Sequence, residues 1–190
     1  MIRRPPRSTR KESSAASDVY KRQALFFQQV HLTTAKGWSL LQFTSLIPVY
    51  TCSTILAMMF YGWAIDRYGT SKLLSLYQIP MAVSFFLFGI SDSLFMAGIA
   101  FALFGITHGA NSTIPGAFWA ENFGTKNLGS IKAMATAVSV LGSALGPAIS
   151  GILIDYEIPF SKQMPVISVF VIICCFLNWV AVNKIKRVYG

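Results

Sequence analysis

Charge is scarce in this chain: of its 190 residues only 12% are Asp, Glu, Lys or Arg, and seven of those are acidic. Histidine occurs twice and cysteine three times, and Cys52, Cys174 and Cys175 stand in no Cys-x-x-Cys or Cys/His spacing. That pattern suggests neither a disulfide framework nor a zinc site, and the thiols read as small packing residues. The two histidines and the five acids outside the first 23 residues compose neither a nucleophile–base set nor a metal cluster, so no enzyme, metal or cofactor is expected. What the chain does have is apolar length. Hydrophobic residues make up 54% of it and the mean hydropathy is +0.54, the composition of a membrane protein and not of a water-soluble domain.

A bilayer-spanning helix needs about 20 apolar residues. Five stretches qualify, at roughly 41–65, 73–90, 94–118, 131–154 and 164–182, and are named here the first to fifth span. The expected fold class is therefore an all-α membrane protein with about five transmembrane helices. A sixth, partial element is expected at 24–30, too short to cross and reading as the outer end of a helix whose beginning is missing. Nearly all the charge falls between the spans, as it must when one charged side chain costs about 2.5–3.5 kcal/mol at a helix centre. Asp66 and Arg67 therefore mark a turn at the membrane surface.

Orientation follows from the basic residues. Arg67, Lys72, Lys126, Lys132, Lys184, Lys186 and Arg187 share one side; Lys36 and Lys162 lie on the other with Asp92, Asp155 and Glu157. The positive-inside bias makes the first side cytoplasmic and places the C-terminus there, in a multi-pass protein of the plasma (cell inner) membrane with lipid as its surroundings. Trp63, Trp119 and Trp179 fall near the inner boundaries and Trp38 near the outer one, as interfacial belt residues or as packing residues.

Residues 1–23, MIRRPPRSTRKESSAASDVYKRQ, differ in kind. They hold seven basic and two acidic residues, so without them the net charge falls from +9 to +4. Physically this is a disordered basic arm. Such an arm could bind anionic lipid or nucleic acid. It also resembles translated read-through of a sequencing adapter, and it lacks the apolar core of a signal peptide. It is left out of the fold and function reasoning, and no nucleic-acid partner is expected.

The turn after the first span reads Gly62-x-x-x-Asp66-Arg67-x-Gly69-x-x-Lys72. Glycine permits a sharp turn and close helix approach. Asp66 can accept bonds from a neighbouring helix N-terminus, and Arg67 can pair with an acid or an anionic headgroup. The pattern resembles the cytoplasmic loop signature of the major facilitator superfamily, in which this loop latches the cytoplasmic side. Thr70 and Ser71 stand where that signature is usually basic, and a plain surface turn is the alternative. The fourth span adds Gly142, Gly146, Pro147 and Gly151. Pro147 leaves the Ser143 carbonyl without its usual helical partner, and the glycines leave a flat strip for a neighbouring helix. This resembles the gating-helix signature of the family's C-terminal repeat; a passive kinked helix is the alternative.

Residues 24–190 as a whole resemble the C-terminal half of such a transporter, the second of two six-helix bundles. The resemblance implies a missing N-terminal half as partner, a small-molecule substrate, and a midplane cavity lined by the first, third and fourth spans. On the first span, Thr44, Tyr50, Thr51 and Thr54 share a sector of about 120°, and Pro48 is expected to interrupt the helix among them. They read either as a wet stripe, or as threonine hydroxyls bonded back to their own helix with Tyr50 packed between helices. On the third span His108 is the only ionisable side chain expected at depth, with Asn111 three residues on. Gly105, Gly109, Ser112 and Gly116 form an adjacent close-packing seam. His108 is a candidate to bind substrate or pass a coupling proton; the alternative is a neutral histidine bonded to the backbone of a neighbouring helix. Asn111-Ser112-Thr113 fits the glycosylation pattern but falls inside a helix and is discounted. No Asp or Glu is expected at midplane. The function so read is a fragment of a secondary transporter working by alternating access. A half-size protein acting as a homodimer and a non-transporting scaffold are the competing readings.

Overall fold

The computed structural model describes residues 29–124, 126 and 128–189. The basic arm, and residues 24–28 of the expected partial helix, lie outside the described residues. Every described element is α-helical: α1 (Gln29–Lys36), α2 (Leu40–Thr44), α3 (Ile47–Tyr68), α4 (Thr70–Leu76), α5 (Ile79–Ile90), α6 (Leu94–Phe123), α7 (Leu128–Asp155) and α8 (Phe160–Tyr189). Five stretches are long and apolar enough to cross a membrane: Leu40–Tyr68, Thr70–Ile90, Leu94–Asn122, Leu128–Asp155 and Phe160–Val180. The all-α expectation with five spans is borne out.

The first two spans are each built from two helices, which the apolar pattern did not reveal. Pro48 occupies the opening turn of α3, and Pro80 likewise opens α5. A proline there forfeits no helical bond, because the first turn's N–H groups have no intrahelical acceptor. Pro48 therefore starts a helix where the sequence reading had it interrupt one. Ser45 makes the break locally favourable by donating its hydroxyl to the Gln42 carbonyl at 2.7 Å. Pro115, Pro147 and Pro165 instead sit inside unbroken helices.

Gly69 ends α3 and begins α4 in a single residue. Its φ of 76° and ψ of 158° lie in a region that side-chain-bearing residues avoid, while its N–H still reaches the Ile65 carbonyl at 2.9 Å. The turn needs glycine for its backbone angles, not for space, since nothing lies within 4 Å of where a Cβ would be.

The third span is the centre of the bundle. Helix α6 packs along α3 on one side and α5 on another, and α5 in turn packs along α8; α7 touches α6 and α8 only lightly. The core is aromatic. Phe43, Phe85, Phe88, Phe101 and Phe104 are buried, with ring centroids 5.1 Å apart for Phe43–Phe101 and 5.2 Å for Phe88–Phe101. Tilted and edge-on contacts of this kind add about 0.5–1.5 kcal/mol each beyond area burial.

Close approach of α3 to α6 depends on two glycines. A Cβ at Gly105 would lie 2.5 Å from the Tyr50 carbonyl oxygen, and one at Gly109 would lie 2.6 Å from that of Thr54. The expected four-residue seam is thereby halved. Gly116 has nothing within 4 Å, and Ser112 is exposed, donating its hydroxyl to the carbonyl of His108 in its own helix. Gly62 also faces open space, so it mediates no close helix approach.

Each end of the bundle is clasped. At the basic end, the buried Thr70 hydroxyl donates to the Glu121 carboxylate near the end of α6. At the opposite end the Lys36 ammonium, on a side chain only 4% exposed, donates to the carbonyls of Gly89 and Ser91 and to Asp92 at 3.3, 2.7 and 3.0 Å. The Trp38 indole N–H adds a bond to the Asp92 carbonyl at 2.7 Å. A cation on the last carbonyls of α5 satisfies acceptors that the helix cannot satisfy itself and complements its dipole.

Candidate functional site

His108 lies fourteen residues after the start of α6 and fifteen before its end, so it sits at mid-depth. The ring of Tyr50 meets it there. Tyr50 stands 5.7 Å from the His108 ring, tilted by 38°, and 5.7 Å from Phe104 one turn earlier. This alignment follows from the glycines: Gly105 admits the Tyr50 backbone against α6, leaving the tyrosine ring to lie across residues 104 and 108 of the same face. Both Tyr50 and His108 remain partly exposed. A phenol and an imidazole side by side supply donors and acceptors for a polar solute in otherwise apolar surroundings.

The threonines of the first span do not join them as one stripe. Thr54 is buried and donates its hydroxyl to the Tyr50 carbonyl at 2.8 Å; Thr51 is exposed and donates to Ile47 at 3.2 Å; Thr44 donates to Leu40 at 2.9 Å. Each hydroxyl is bonded within its own helix, the alternative that the local chemistry of threonine offers. Tyr50 and Thr54 turn toward α6, and Thr51 lies on an exposed face.

Asn111 faces a different neighbour. Its side-chain oxygen accepts from the Tyr77 hydroxyl at 3.4 Å, and that hydroxyl accepts from the Gln78 side-chain amide at 3.2 Å. Tyr77 and Gln78 are buried at the break between α4 and α5. They were missed in the sequence, where the only signal was a Tyr-Gln pair two residues before Pro80. The structure thus extends the polar groups at depth to Tyr50, His108, Asn111, Tyr77 and Gln78, strung across the first three spans.

In the loop signature Asp66, Arg67 and Lys72 are exposed. The Arg67 guanidinium lies 5.7 Å from the centre of the Trp63 ring, a cation–π placement. The residue at the N-cap of α4 is Gly69, which has no side chain to cap it. At the departure from the signature, the buried Thr70 hydroxyl donates to the Glu121 carboxylate.

On α7, Gly146 and Ser150 are buried, while Gly142, Pro147 and Gly151 are partly exposed. Nothing lies within 4 Å of a Cβ placed at Gly151. The helix is tied to α8 through the Gln163 amide on the Ser150 carbonyl at 3.4 Å, and presents Leu141, Leu145, Ile149 and Ile152 outward. The span carrying the glycine-proline pattern is accordingly among the least packed of the five. Among the described residues no three His, Cys, Asp or Glu side chains converge on a metal-sized site.

Comparison with known proteins agrees with this architecture. A comparison with curated protein sequences returns no significant match. The family profile described as Major Facilitator Superfamily matches residues 19–187, beginning within the last residues of the basic arm and covering all five spans. Together with the five apolar helices, this match establishes that the chain belongs to the Major Facilitator Superfamily, whose members are multi-pass membrane transporters of small molecules.

Proposed function

We propose that the chain is the C-terminal half of a secondary active transporter that moves a small solute by alternating access. Tyr50 and His108 offer the solute-facing polar groups of this half, and Asn111 lies one step toward the second span. The observation that carries this reading is the pairing of Tyr50 with His108 at mid-depth on partly exposed faces of the first and third spans. An ionisable group placed there is costly unless it serves a pathway or a partner. The lightly packed α7 supports the reading from another side, since a helix with few contacts inside its own bundle is free to move against a second one.

In this reading the basic end is cytoplasmic, in the plasma membrane. The loop from Gly62 to Lys72 then meets the N-terminal half, with Asp66 and Arg67 presented outward for that contact. His108, the ionisable side chain at the middle of the third span, carries the coupling proton if the transport cycle uses one.

The test is flux in proteoliposomes containing the full-length transporter, screened by counterflow over small organic acids and neutral solutes. Tyr50→Phe is expected to raise KM, and His108→Gln to lower flux and flatten its pH dependence. Unchanged flux and unchanged pH dependence in both variants would leave the pair a packing contact and favour the scaffold reading.

A further inference from the structure

We propose that the groove between the second and fifth spans is a binding site for an anionic phospholipid. One acyl chain lies along the groove, and the phosphate sits at the basic end of the bundle.

The groove has a volume of about 550 Å³. Its walls include Leu76, Val83 and Phe86 of the second span and Ile172, Phe176 and Trp179 of the fifth. All six are large and exposed, from 43% at Val83 to 60% at Phe176. The two serines and the cysteine of the lining spend their donors inside the protein. Ser75 donates its hydroxyl to the Ser71 carbonyl, Ser168 to Ala82, and the Cys175 thiol to the Ser75 carbonyl, at 3.2, 2.7 and 3.0 Å. The surface offered is hydrocarbon, unlike that around Tyr50 and His108, and it suits a chain of methylenes and not a polar solute.

Length narrows the occupant further. From Ser75 to Phe86 the wall runs twelve residues across the break between α4 and α5, about 16 Å at a helical rise, close to one leaflet of a hydrocarbon core about 30 Å thick.

Charge decides the headgroup. The bonds Ser168–Ala82 and Cys175–Ser75 are seven residues apart on each of the two spans, in opposite directions, so the spans run antiparallel. Carried onward, that register brings Thr70, where the second span begins, level with Val180. Helix α8 continues to Tyr189 and therefore projects beyond its neighbour by nine residues, about 13 Å. The sequence positions Lys184, Lys186 and Arg187 fall on this projecting part, and exposed Lys72, in the first turn of α4, is level with Asn178 in the same register. Clustered basic residues just outside an apolar span attract anionic lipid, each contributing about 1 kcal/mol near the surface. A second copy of the chain is disfavoured as occupant, because copies related by an axis along the membrane normal would bring the same positive ends together.

Electron spin resonance of the purified chain in phosphatidylcholine vesicles, doped with spin-labelled phosphatidylglycerol or spin-labelled phosphatidylcholine, tests this directly. The motionally restricted population is expected to favour the anionic label by about fivefold or more. Lys184→Gln/Lys186→Gln/Arg187→Gln should bring that preference close to unity. Val83→Phe/Val169→Phe, which fills the groove from walls already exposed, should reduce the restricted population while circular dichroism stays unchanged. Equal restriction of both labels by the unaltered chain would overturn the proposal. So would a dimer that persists at high lipid-to-protein ratio and shields Trp179 from brominated lipids of either headgroup. Neither readout depends on transport, so failure here leaves the reading of Tyr50 and His108 untouched.

Discussion

Adding one methyl group at Gly109 should separate the two helices that hold the candidate site. An alanine Cβ there would lie 2.6 Å from the Thr54 carbonyl oxygen, 2.7 Å from the Ala57 Cβ and 2.9 Å from the Met58 nitrogen. Favourable non-bonded contacts lie near 3.5–4.0 Å, and two of these three neighbours are backbone atoms that no rotamer change can move. Helix α3 must back away by about 1 Å, and overpacking of this kind costs about 1–3 kcal/mol. Alanine's better helix propensity returns at most about 1 kcal/mol, so a net destabilisation of roughly 1–2 kcal/mol is expected. Gly116→Ala, on the same helix with nothing within 4 Å of the new atom, is the matched control and should be neutral or stabilising by up to about 1 kcal/mol. Unfolding in mixed micelles of dodecyl maltoside and increasing dodecyl sulfate, followed by circular dichroism, gives both midpoints. Gly105→Ala should behave like Gly109→Ala, since its Cβ would meet the Tyr50 oxygen at 2.5 Å. If Gly109→Ala unfolds at the same dodecyl sulfate fraction as Gly116→Ala, the close approach of α3 and α6 is refuted, and with it the alignment of Tyr50 with His108.

In the same assay Gly69→Ala should lose about 1–3 kcal/mol, because its φ of 76° with ψ of 158° is a glycine conformation; Gly62→Ala, in open helix surface, should lose nothing. Equal midpoints for the two would show that the turn does not hold this geometry. At the opposite end, Lys36→Met removes a cation bonded to two backbone carbonyls and is expected to cost about 1.5–3 kcal/mol. Asp92→Asn touches only an ion pair whose acidic side chain is 84% exposed, and should cost under about 1 kcal/mol. The reverse order would mean that the ion pair, and not the capping of α5, holds that end together.

How much of this was readable beforehand varies with the interaction. Five spans were legible because burial in hydrocarbon demands long apolar runs and expels charge into the gaps. The breaks at Ser45 and Tyr77 were not, since proline can open a helix or kink one and local sequence does not say which. His108 stood out as an ionisable group in an apolar run. Its neighbour Tyr50 was named only as part of a threonine-rich stripe, and the structure divides that stripe. Tyr77, Gln78 and the Thr70–Glu121 clasp went unread because they join residues 34 to 51 positions apart.

The sequence by itself determined that this chain crosses a membrane as helices, where its charges lie along it, and which family it resembles. Those properties follow from composition and spacing, which act residue by residue against lipid and water. Tertiary structure alone decided which glycines are contact points, which hydroxyls are spent within their own helix, and that histidine and tyrosine meet at mid-depth. Such pairings depend on the rotation and register of each helix against its neighbour, and those are set by packing across the bundle, where distance along the chain carries no information.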